Sequence, residues 1–279
     1  MCATCGCSEH SSDPPAEPGT DPHPHMHPHT HSHEPHGESG HDRSAHIHEG
    51  WDEGGSRRVR LELDLLAKNN RIAERNRGWL EGRQTLALNL MSAPGSGKTT
   101  LLERTIRDLG GEFRLGVIEG DQESSQDAER IRKAGAPVVQ INTGTGCHLD
   151  AEMLGRALRT LDPPPASWVF IENVGNLVCP ALFDLGEDAR VVIASVTEGE
   201  DKPIKYPHMF RASDLVVLNK MDLLPYVQFD VDRFLVHSRS VNPRARVLQV
   251  SATRGDGLSA WYEWLRERRP SQARSLEMR

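Results

Sequence analysis

The sequence lacks long apolar runs and contains few cysteines. No stretch approaches the roughly 18 consecutive apolar residues of a transmembrane helix, so we expect no membrane-spanning segment. No basic region followed by an apolar one begins the chain, so we also expect no signal peptide. The 279 residues include five cysteines. This odd number disfavours a disulfide framework and indicates a reducing, cytoplasmic compartment.

Basic side chains are nearly missing from the first 56 residues. Arg43 stands there against ten acidic residues, and the segment holds 11 of the 14 histidines. The remaining 223 residues carry 32 basic and 30 acidic groups, a balance that gives no electrostatic footprint for nucleic acid or an anionic membrane. Large apolar residues are scarce in 8–56. This composition predicts a disordered tail, because little buried surface is available to offset the ordering entropy.

The rest of the chain shows the patterning of a folded domain. Residues 57–81 predict an amphipathic helix that links the tail to the core. Over 82–279 the alternation predicts an α/β fold, with a mostly parallel sheet and helices on both faces. The expected strands are Thr85–Met91, Phe113–Ile118, Val138–Ile141, Trp168–Ile171, Ala189–Val196, Leu215–Leu218 and Val247–Val250. The expected helices are Lys98–Leu109, Ser124–Ala134, His148–Leu161, Val231–Ser240 and Leu258–Glu267.

A phosphate-binding motif occupies 92–99, between a predicted strand and a predicted helix. Its glycines allow backbone N–H groups to turn toward phosphates, Lys98 can reach the outer phosphates, and the Thr99 hydroxyl can bind Mg²⁺. Ser92 stands where the usual pattern has its first glycine. The order of strand, loop and helix predicts a P-loop NTPase. The expected phosphate-binding residues are Gly95, Ser96, Gly97, Lys98, Thr99 and Thr100.

A second motif indicates the base. Asn219-Lys220-Met221-Asp222 follows a predicted strand and resembles the guanine-specificity motif of GTP-binding proteins. A carboxylate such as Asp222 can accept two hydrogen bonds from guanine, whereas adenine would leave it unpaired. Ser251 and Ala252 follow the last strand and resemble a further guanine-contacting loop. We therefore expect GTP rather than ATP.

Carboxylates at two other strand ends are candidates for binding Mg²⁺. Asp121, with Glu119, follows one strand, and Glu172 follows another, beside the expected phosphate loop. With Lys98 and Thr99, Asp121 and Glu172 form the expected catalytic set. The sequence identifies no arginine or glutamine as the transition-state stabiliser, so we expect slow intrinsic hydrolysis.

The N-terminal segment 1–7 carries a metal-ligand pattern, Cys2-x-x-Cys5-x-Cys7. Three thiolates at this spacing can bind Ni²⁺ or Zn²⁺, and the alternative is a tail with incidental thiols. Alternating histidines follow, a pattern that predicts many weak metal sites and has a purification tag as its alternative. These alternating residues are His23, His25, His27, His29, His31 and His33.

A third cluster of candidate ligands lies within the domain. Cys147-His148 is expected at the start of a helix, and Cys179 follows a neighbouring strand. Either cysteine alone is more often a core residue. Together they fall at the sheet edge that carries the phosphate loop, which favours a metal site. Three ligands leave the coordination incomplete, so a symmetric partner could supply more.

Taken together, these motifs resemble the HypB family of hydrogenase nickel-incorporation GTPases, P-loop proteins of the SIMIBI class. The resemblance covers about 57–270 and the N-terminal cysteines. The motifs that carry it are Cys2–Cys7, Ser92–Thr99, Glu119–Gln122, Gly146–Leu149, Glu172–Pro180 and Asn219–Asp222.

The resemblance implies a GTPase that dimerises with GTP and delivers Ni²⁺ to the large subunit of [NiFe]-hydrogenase, together with the metallochaperone HypA. By position, Cys2, Cys5 and Cys7 would form a tight nickel site. Cys147, His148 and Cys179 would form a nickel or zinc site at the dimer interface, and the histidine-rich tail would store nickel.

Three other functions share parts of this pattern. A urease-type nickel GTPase shares the nucleotide motifs, but the N-terminal cysteines and the segment Val174–Pro180 favour the hydrogenase pathway. A nickel or zinc storage protein with a regulatory GTPase domain would use the same tail. A small-molecule kinase would use the same phosphate loop, but the guanine motif disfavours it. The ligand types do not separate Ni²⁺ from Zn²⁺ at either cysteine site.

Overall fold

The computed structural model describes residues 53–121 and 126–268, with side chains from residue 63 onward. The segment 1–7 and the expected tail up to residue 52 lie outside the described residues. The first helix, α1, spans Glu53–Gly82. It begins four residues before the predicted start at residue 57, so residues 53–56 are helical rather than part of the tail.

Seven parallel strands form one sheet in the order β3-β2-β4-β1-β5-β6-β7. Because β1 pairs with β4 on one side and β5 on the other, the loop after β1 leaves from the middle of the sheet. The strands are β1 (Leu86–Ser92), β2 (Leu115–Asp121), β3 (Val138–Asn142), β4 (Trp168–Glu172), β5 (Ala189–Ser195), β6 (Leu215–Asn219) and β7 (Arg246–Gln249).

Helices follow the strands. The remaining ones are α2 (Lys98–Leu109), α3 (Gln126–Ala134), α4 (Ala151–Leu161), α5 (Lys202–Lys205), α6 (Pro207–Arg211), α7 (Val231–Val241) and α8 (Leu258–Glu267). Short 3₁₀ turns span Cys179–Ala181 and Met221–Tyr226. No described helix is long and apolar enough to cross a membrane.

Alternation along the strands places apolar side chains on both faces of the sheet. In β1, Leu88 and Leu90 join a core with α2, α3 and α8, whereas Ala87 and Met91 point into cores on the opposite face. The opposite face is covered by α1, α4, α6 and α7. The predicted fold class, a parallel sheet with helices on both faces, is confirmed.

The predicted strands and helices are present, but several bounds differ. Strand β2 spans Leu115–Asp121 instead of Phe113–Ile118, so Glu119 and Asp121 lie within it and do not follow it as predicted. Helices α2 and α8 have the predicted bounds. Helix α4 begins at Ala151, not at His148, because the Asp150 side chain caps it by accepting the Met153 N–H at 2.7 Å. The short helices α5 and α6 were not predicted. Each has a proline at its start and is too short to show a helical period.

Candidate nucleotide and metal sites

The phosphate loop joins β1 to α2 and lines a cavity of about 510 Å³. Gly95 and Gly97 have φ angles of +74° and +94°, which favour glycine because a side chain there is strained. Lys98 Nζ donates to Ser92 Oγ at 3.2 Å, so the serine that replaces the first glycine contacts the lysine. Gly97, Lys98 and Thr99 line the cavity, so the N-terminus of α2 faces it. The first backbone N–H groups of a helix have no acceptor within the helix and can bind phosphate.

The loop after β6 braces the phosphate loop. Asn219 Nδ2 donates to the Ser96 carbonyl at 3.0 Å, and Lys220 Nζ donates to the Gly95 carbonyl at 2.6 Å. A Cβ at Gly97 would lie 2.5 Å from Asn219 Nδ2, so any larger residue would separate the two loops. The predicted guanine motif and the phosphate motif thus form one site.

The loop after β7 completes this corner. The Ala252 N–H donates to Asn219 Oδ1 at 3.1 Å, and Ser251 Oγ donates to Asp222 Oδ1 at 2.6 Å. One oxygen of Asp222 is therefore fixed by the serine, which orients the carboxylate. The structure brings together all five residues predicted to recognise the base: Asn219, Lys220, Asp222, Ser251 and Ala252.

Two buried carboxyl groups stand side by side at the floor of the cavity. Glu119 of β2 and Glu172 of β4 are register partners on neighbouring strands. Thr99 Oγ1 donates to Glu172 Oε1 at 2.6 Å, and Lys98 Nζ lies 4.0 Å from the same oxygen. Asp121 lines the cavity at the end of β2. The predicted catalytic residues Lys98, Thr99, Asp121 and Glu172 thus border one cavity.

The electrostatics of this floor suit a divalent cation. Burial, together with the charges of Glu172 and Asp121, raises the pKa of Glu119 to about 8. Burial also raises the pKa of Glu172, against the opposing influence of Lys98 and Thr99. Among the described residues, Glu119 Oε2 and Glu172 Oε2 are buried without a hydrogen-bond partner. Oxygen ligands beside a phosphate loop are those that Mg²⁺ prefers, so the residues fit this ion.

Arg130 of α3 also lines the cavity and was missed by the sequence analysis. Its guanidinium donates to Glu103 at 2.7 Å, to Asp127 at 3.0 Å and to Thr100 Oγ1 at 3.2 Å. Thr100, predicted to bind phosphate, therefore contacts this arginine. Arg130 belongs to none of the motifs, and a single arginine on a helix carries no local signal of a binding role.

The structure brings Cys147, His148 and Cys179 together. The two Sγ atoms are 3.0 Å apart, and Cys147 Sγ lies 3.6 Å from His148 Nδ1. The three ligand atoms all lie within 4.8 Å of one another, and both cysteines are buried. Burial lowers the pKa of His148, which favours the neutral imidazole that binds metals. Soft thiolates with an imidazole suit Ni²⁺ or Zn²⁺.

The metal-ligand cluster and the nucleotide cavity are physically connected. Asn173, directly after Glu172, accepts the Leu149 N–H at 3.2 Å through Oδ1. Leu149 also packs on the end of β2, where a Cβ at Gly120 would lie 2.7 Å from its side chain. The same strand ends therefore contact both sites.

Several predicted residues lie outside the described part of the chain. They are Gln122, Cys2, Cys5, Cys7, His23, His25, His27, His29, His31 and His33. Their expected roles stay predictions.

Comparison with known proteins identifies the family. The model of the CobW/HypB/UreG nucleotide-binding domain matches residues 86–249. The chain belongs to this family. The match runs from β1 to β7 and so includes the phosphate loop, both buried carboxyl groups, the Cys147–Cys179 cluster and the guanine motif.

Within the CobW/HypB/UreG family, the chain is similar to hydrogenase maturation factors. It is 56% identical over 220 residues to the hydrogenase maturation factor HypB of Azotobacter vinelandii, covering 79% of this chain and 73% of that protein. It is 37% identical over 216 residues to the hydrogenase/urease maturation factor HypB of Helicobacter pylori, covering 76% and 88%.

Two crystal structures share the fold. HypB from Archaeoglobus fulgidus matches with a TM-score of 0.68 and 45% identity, over 72% of this chain and 98% of that one. HypB from Helicobacter pylori in complex with nickel matches with a TM-score of 0.68 and 36% identity, over 74% and 97%. The P-loop NTPase fold is thereby confirmed.

Proposed function

We propose that this protein is a GTP-hydrolysing nickel metallochaperone that inserts Ni²⁺ into the large subunit of [NiFe]-hydrogenase. The observation that carries the proposal is the Cys147–His148–Cys179 cluster beside the nucleotide cavity. A relative with 36% identity has been crystallised with nickel, and another with 56% identity is a hydrogenase maturation factor. The two neighbouring thiols require a reducing compartment, so we place the activity in the cytoplasm.

The residues that line the nucleotide cavity have distinct roles in GTP binding and hydrolysis. Lys98 and the start of α2 hold the phosphates, and Asp222 selects guanine over adenine. Thr99, Asp121 and Glu172 would hold Mg²⁺, which neutralises phosphate charge when bound. Among the described residues, Arg130 is the arginine that lines the cavity, but its guanidinium is held by Glu103 and Asp127. Slow intrinsic hydrolysis is therefore expected.

The bound nucleotide would change the arrangement of the ligands at the Cys147–His148–Cys179 cluster. Leu149 contacts both the end of β2 and Asn173, so a change at Asp121 or Glu172 would reach Cys147 and His148. GTP binding would bring two copies together, and the partner would complete the ligand set. HypA would exchange metal with this dimer. Cys2, Cys5 and Cys7 would form a second nickel site, and the histidine-rich tail would store the ion.

A genetic experiment tests delivery against the competing functions. A deletion strain complemented with the full chain should regain hydrogenase activity, and the Cys179→Ala variant should not restore it. Removal of residues 8–52, which leaves α1 intact, should lower metal tolerance more than hydrogenase activity. Hydrogenase activity with Cys179→Ala equal to that of the parent would contradict delivery through this cluster. Loss of urease alone in the deletion strain would indicate the urease pathway.

A further inference from the structure

We propose that Asn69 and Asn76 of α1 are positioning residues that set the geometry of the Cys147–His148–Cys179 cluster. This inference rests on the proposed metal role of the cluster and adds the element that holds its two ligand-bearing segments in register. One segment carries Cys147 and His148 and leads into α4. The other carries Cys179 and leads to β5.

Both asparagines hold the first of these segments at Ala151, three residues beyond His148. Asn69 Oδ1 accepts the Ala151 N–H at 2.9 Å, and Asn76 Nδ2 donates to the Ala151 carbonyl at 2.7 Å. Both backbone polar groups of this residue are therefore bound to α1 side chains. The Cys147–His148 turn is thus fixed at its C-terminal end by a helix distant in sequence.

The same two side chains hold the second segment. Asn69 Nδ2 donates to the Asp184 carbonyl at 2.7 Å, and Asn76 Nδ2 donates to the Leu185 carbonyl at 3.0 Å. Arg77 adds two hydrogen bonds of 3.0 Å to the Asp184 carboxylate. Each asparagine consequently bridges the two segments that supply the metal ligands.

The hydrogen bond from Asn69 to the Asp184 carbonyl also restrains His148, because Phe183 precedes Asp184 and packs on the imidazole. The Phe183 ring stacks on the His148 imidazole, with centroids 3.9 Å apart and planes 26° apart. Fixing the Asp184 carbonyl therefore also restrains the ring that packs on His148. The His148 imidazole is therefore positioned in two ways, by the backbone that leads to Ala151 and by the Phe183 ring stacked on its face.

The chemistry of the amide explains why asparagine occupies these positions. Asn69 accepts from an N–H through Oδ1 and donates to a carbonyl through Nδ2, so it needs an acceptor and a donor on one short side chain. Asn76 donates to two carbonyls from its Nδ2, which carries two hydrogens. The two residues are seven apart, about two helical turns, so they lie on the same face of α1. Both are 6% exposed, so a lost bond would leave a buried backbone group unpaired.

The test measures metal binding at the cluster in the full chain. Replacing Cys2, Cys5 and Cys7 with serine leaves Cys147 and Cys179 as the only thiols. In that background, the thiolate-to-metal charge-transfer band of bound Co²⁺ reports this site alone, because imidazole sites in the tail give no thiolate band. Asn69→Ala and Asn76→Ala are compared with Asn70→Ala, whose side chain is exposed on the same helix.

We expect each of the two variants to weaken Co²⁺ binding at the thiolate site by about 10-fold or more, as for other residues that orient ligands. The ligand-field bands of the remaining complex should also change, whereas GDP affinity should not. Asn69→Asp keeps the acceptor for the Ala151 N–H but replaces the donor to the Asp184 carbonyl with a second acceptor, so its affinity should also stay below that of the parent. Asn70→Ala should match the parent.

The inference is overturned if both asparagine variants keep the affinity and the Co²⁺ spectrum of the parent, even where they lower the melting temperature. A Cys179→Ala control separates this failure from that of the proposed function. If Cys179→Ala also leaves the spectrum unchanged, the cluster is not a metal site and both ideas fail. If only Cys179→Ala removes the band, the positioning role alone fails.

Discussion

Glu119 is a carboxyl group buried beside Glu172 and Asp121, an environment that raises its pKa from 4.5 to about 8. The unfolded chain releases this proton near pH 4.5, whereas the folded chain holds it to about pH 8. The folded state therefore loses stability as the pH rises through this window, and the loss is complete above it.

Without Mg²⁺ and nucleotide, we expect Glu119→Gln to melt at least about 4 °C above the parent at pH 8. The difference should shrink toward pH 4.5, and thermal unfolding across this range measures it. Glu263→Gln, at an exposed position of α8, is the control and should show no such trend. A constant offset at every pH would argue against a raised pKa at Glu119.

Lys98 lines the nucleotide cavity at the start of α2 and is the predicted phosphate-binding lysine. We expect Lys98→Ala to lower GTP turnover by about 100-fold or more, the usual loss when a charge-stabilising donor is removed. Cobalt binding at Cys147 and Cys179 should persist, because the lysine supplies no ligand to the Cys147–His148–Cys179 cluster. GTP turnover is measured as phosphate release. The control, Lys133→Ala, removes an exposed lysine of α3 and should leave this rate unchanged. Normal turnover in Lys98→Ala would refute the assignment of the phosphate site.

Asp222 determines the predicted base specificity. Its carboxylate accepts a hydrogen bond from the Ser251 hydroxyl and can accept two more from the ring N–H and the amine of guanine. Asp222→Asn adds a donor and should prefer xanthine, which has a carbonyl where guanine has its amine. We expect at least a tenfold shift of relative affinity from GTP to xanthosine triphosphate, measured by competition. An unchanged preference for GTP would show that the guanine base does not bind at Asp222.

At the scale of elements, local signals located helices and strands but not every boundary. The phosphate motif at 92–99 located the start of α2 correctly, and the helix ends at Leu109, directly before Gly110. The start of α4 was predicted three residues early because Cys147-His148 was read as the start of a helix, whereas Asp150 is the cap. The contacts of Asn69 and Asn76 were not predictable, because their partners lie 75 to 115 residues away.

The end of β2 packs directly on Leu149, and this contact is the element-scale link between the two sites. A Cβ at Gly120 would lie 2.7 to 2.9 Å from three carbons of the Leu149 side chain. Gly120→Ala should therefore displace the Cys147–His148 turn and weaken Co²⁺ binding several-fold. Gly111→Ala meets no atom within 4 Å and is the matched control.

A double variant tests the steric cause. Gly120→Ala with Leu149→Ala removes the overlap, and it should restore part of the Co²⁺ affinity lost in Gly120→Ala. If the double variant binds Co²⁺ no better than Gly120→Ala, the overlap with Leu149 is not the cause of the weaker binding.

At the scale of the whole molecule, the order of the strands decides which motifs meet. The phosphate, guanine and cysteine motifs were each visible as local patterns, and their placement at strand ends predicted a common edge. Strand order was not predictable from one sequence. The pairing of β4 with both β1 and β2 places Glu172 beside Glu119. Arg130 reaches the same cavity from α3 without any local signal.

In the proposed function, the bound nucleotide controls the metal in an assembled pair of chains. Native mass spectrometry with Ni²⁺, in GDP and in a non-hydrolysable GTP analogue, measures subunit number and metal number together. We expect a dimer only with the analogue, a changed nickel count, and loss of that change in Cys147→Ala. The same mass and nickel count in both nucleotides would separate the metal chemistry from the GTPase and contradict control of the metal by the nucleotide.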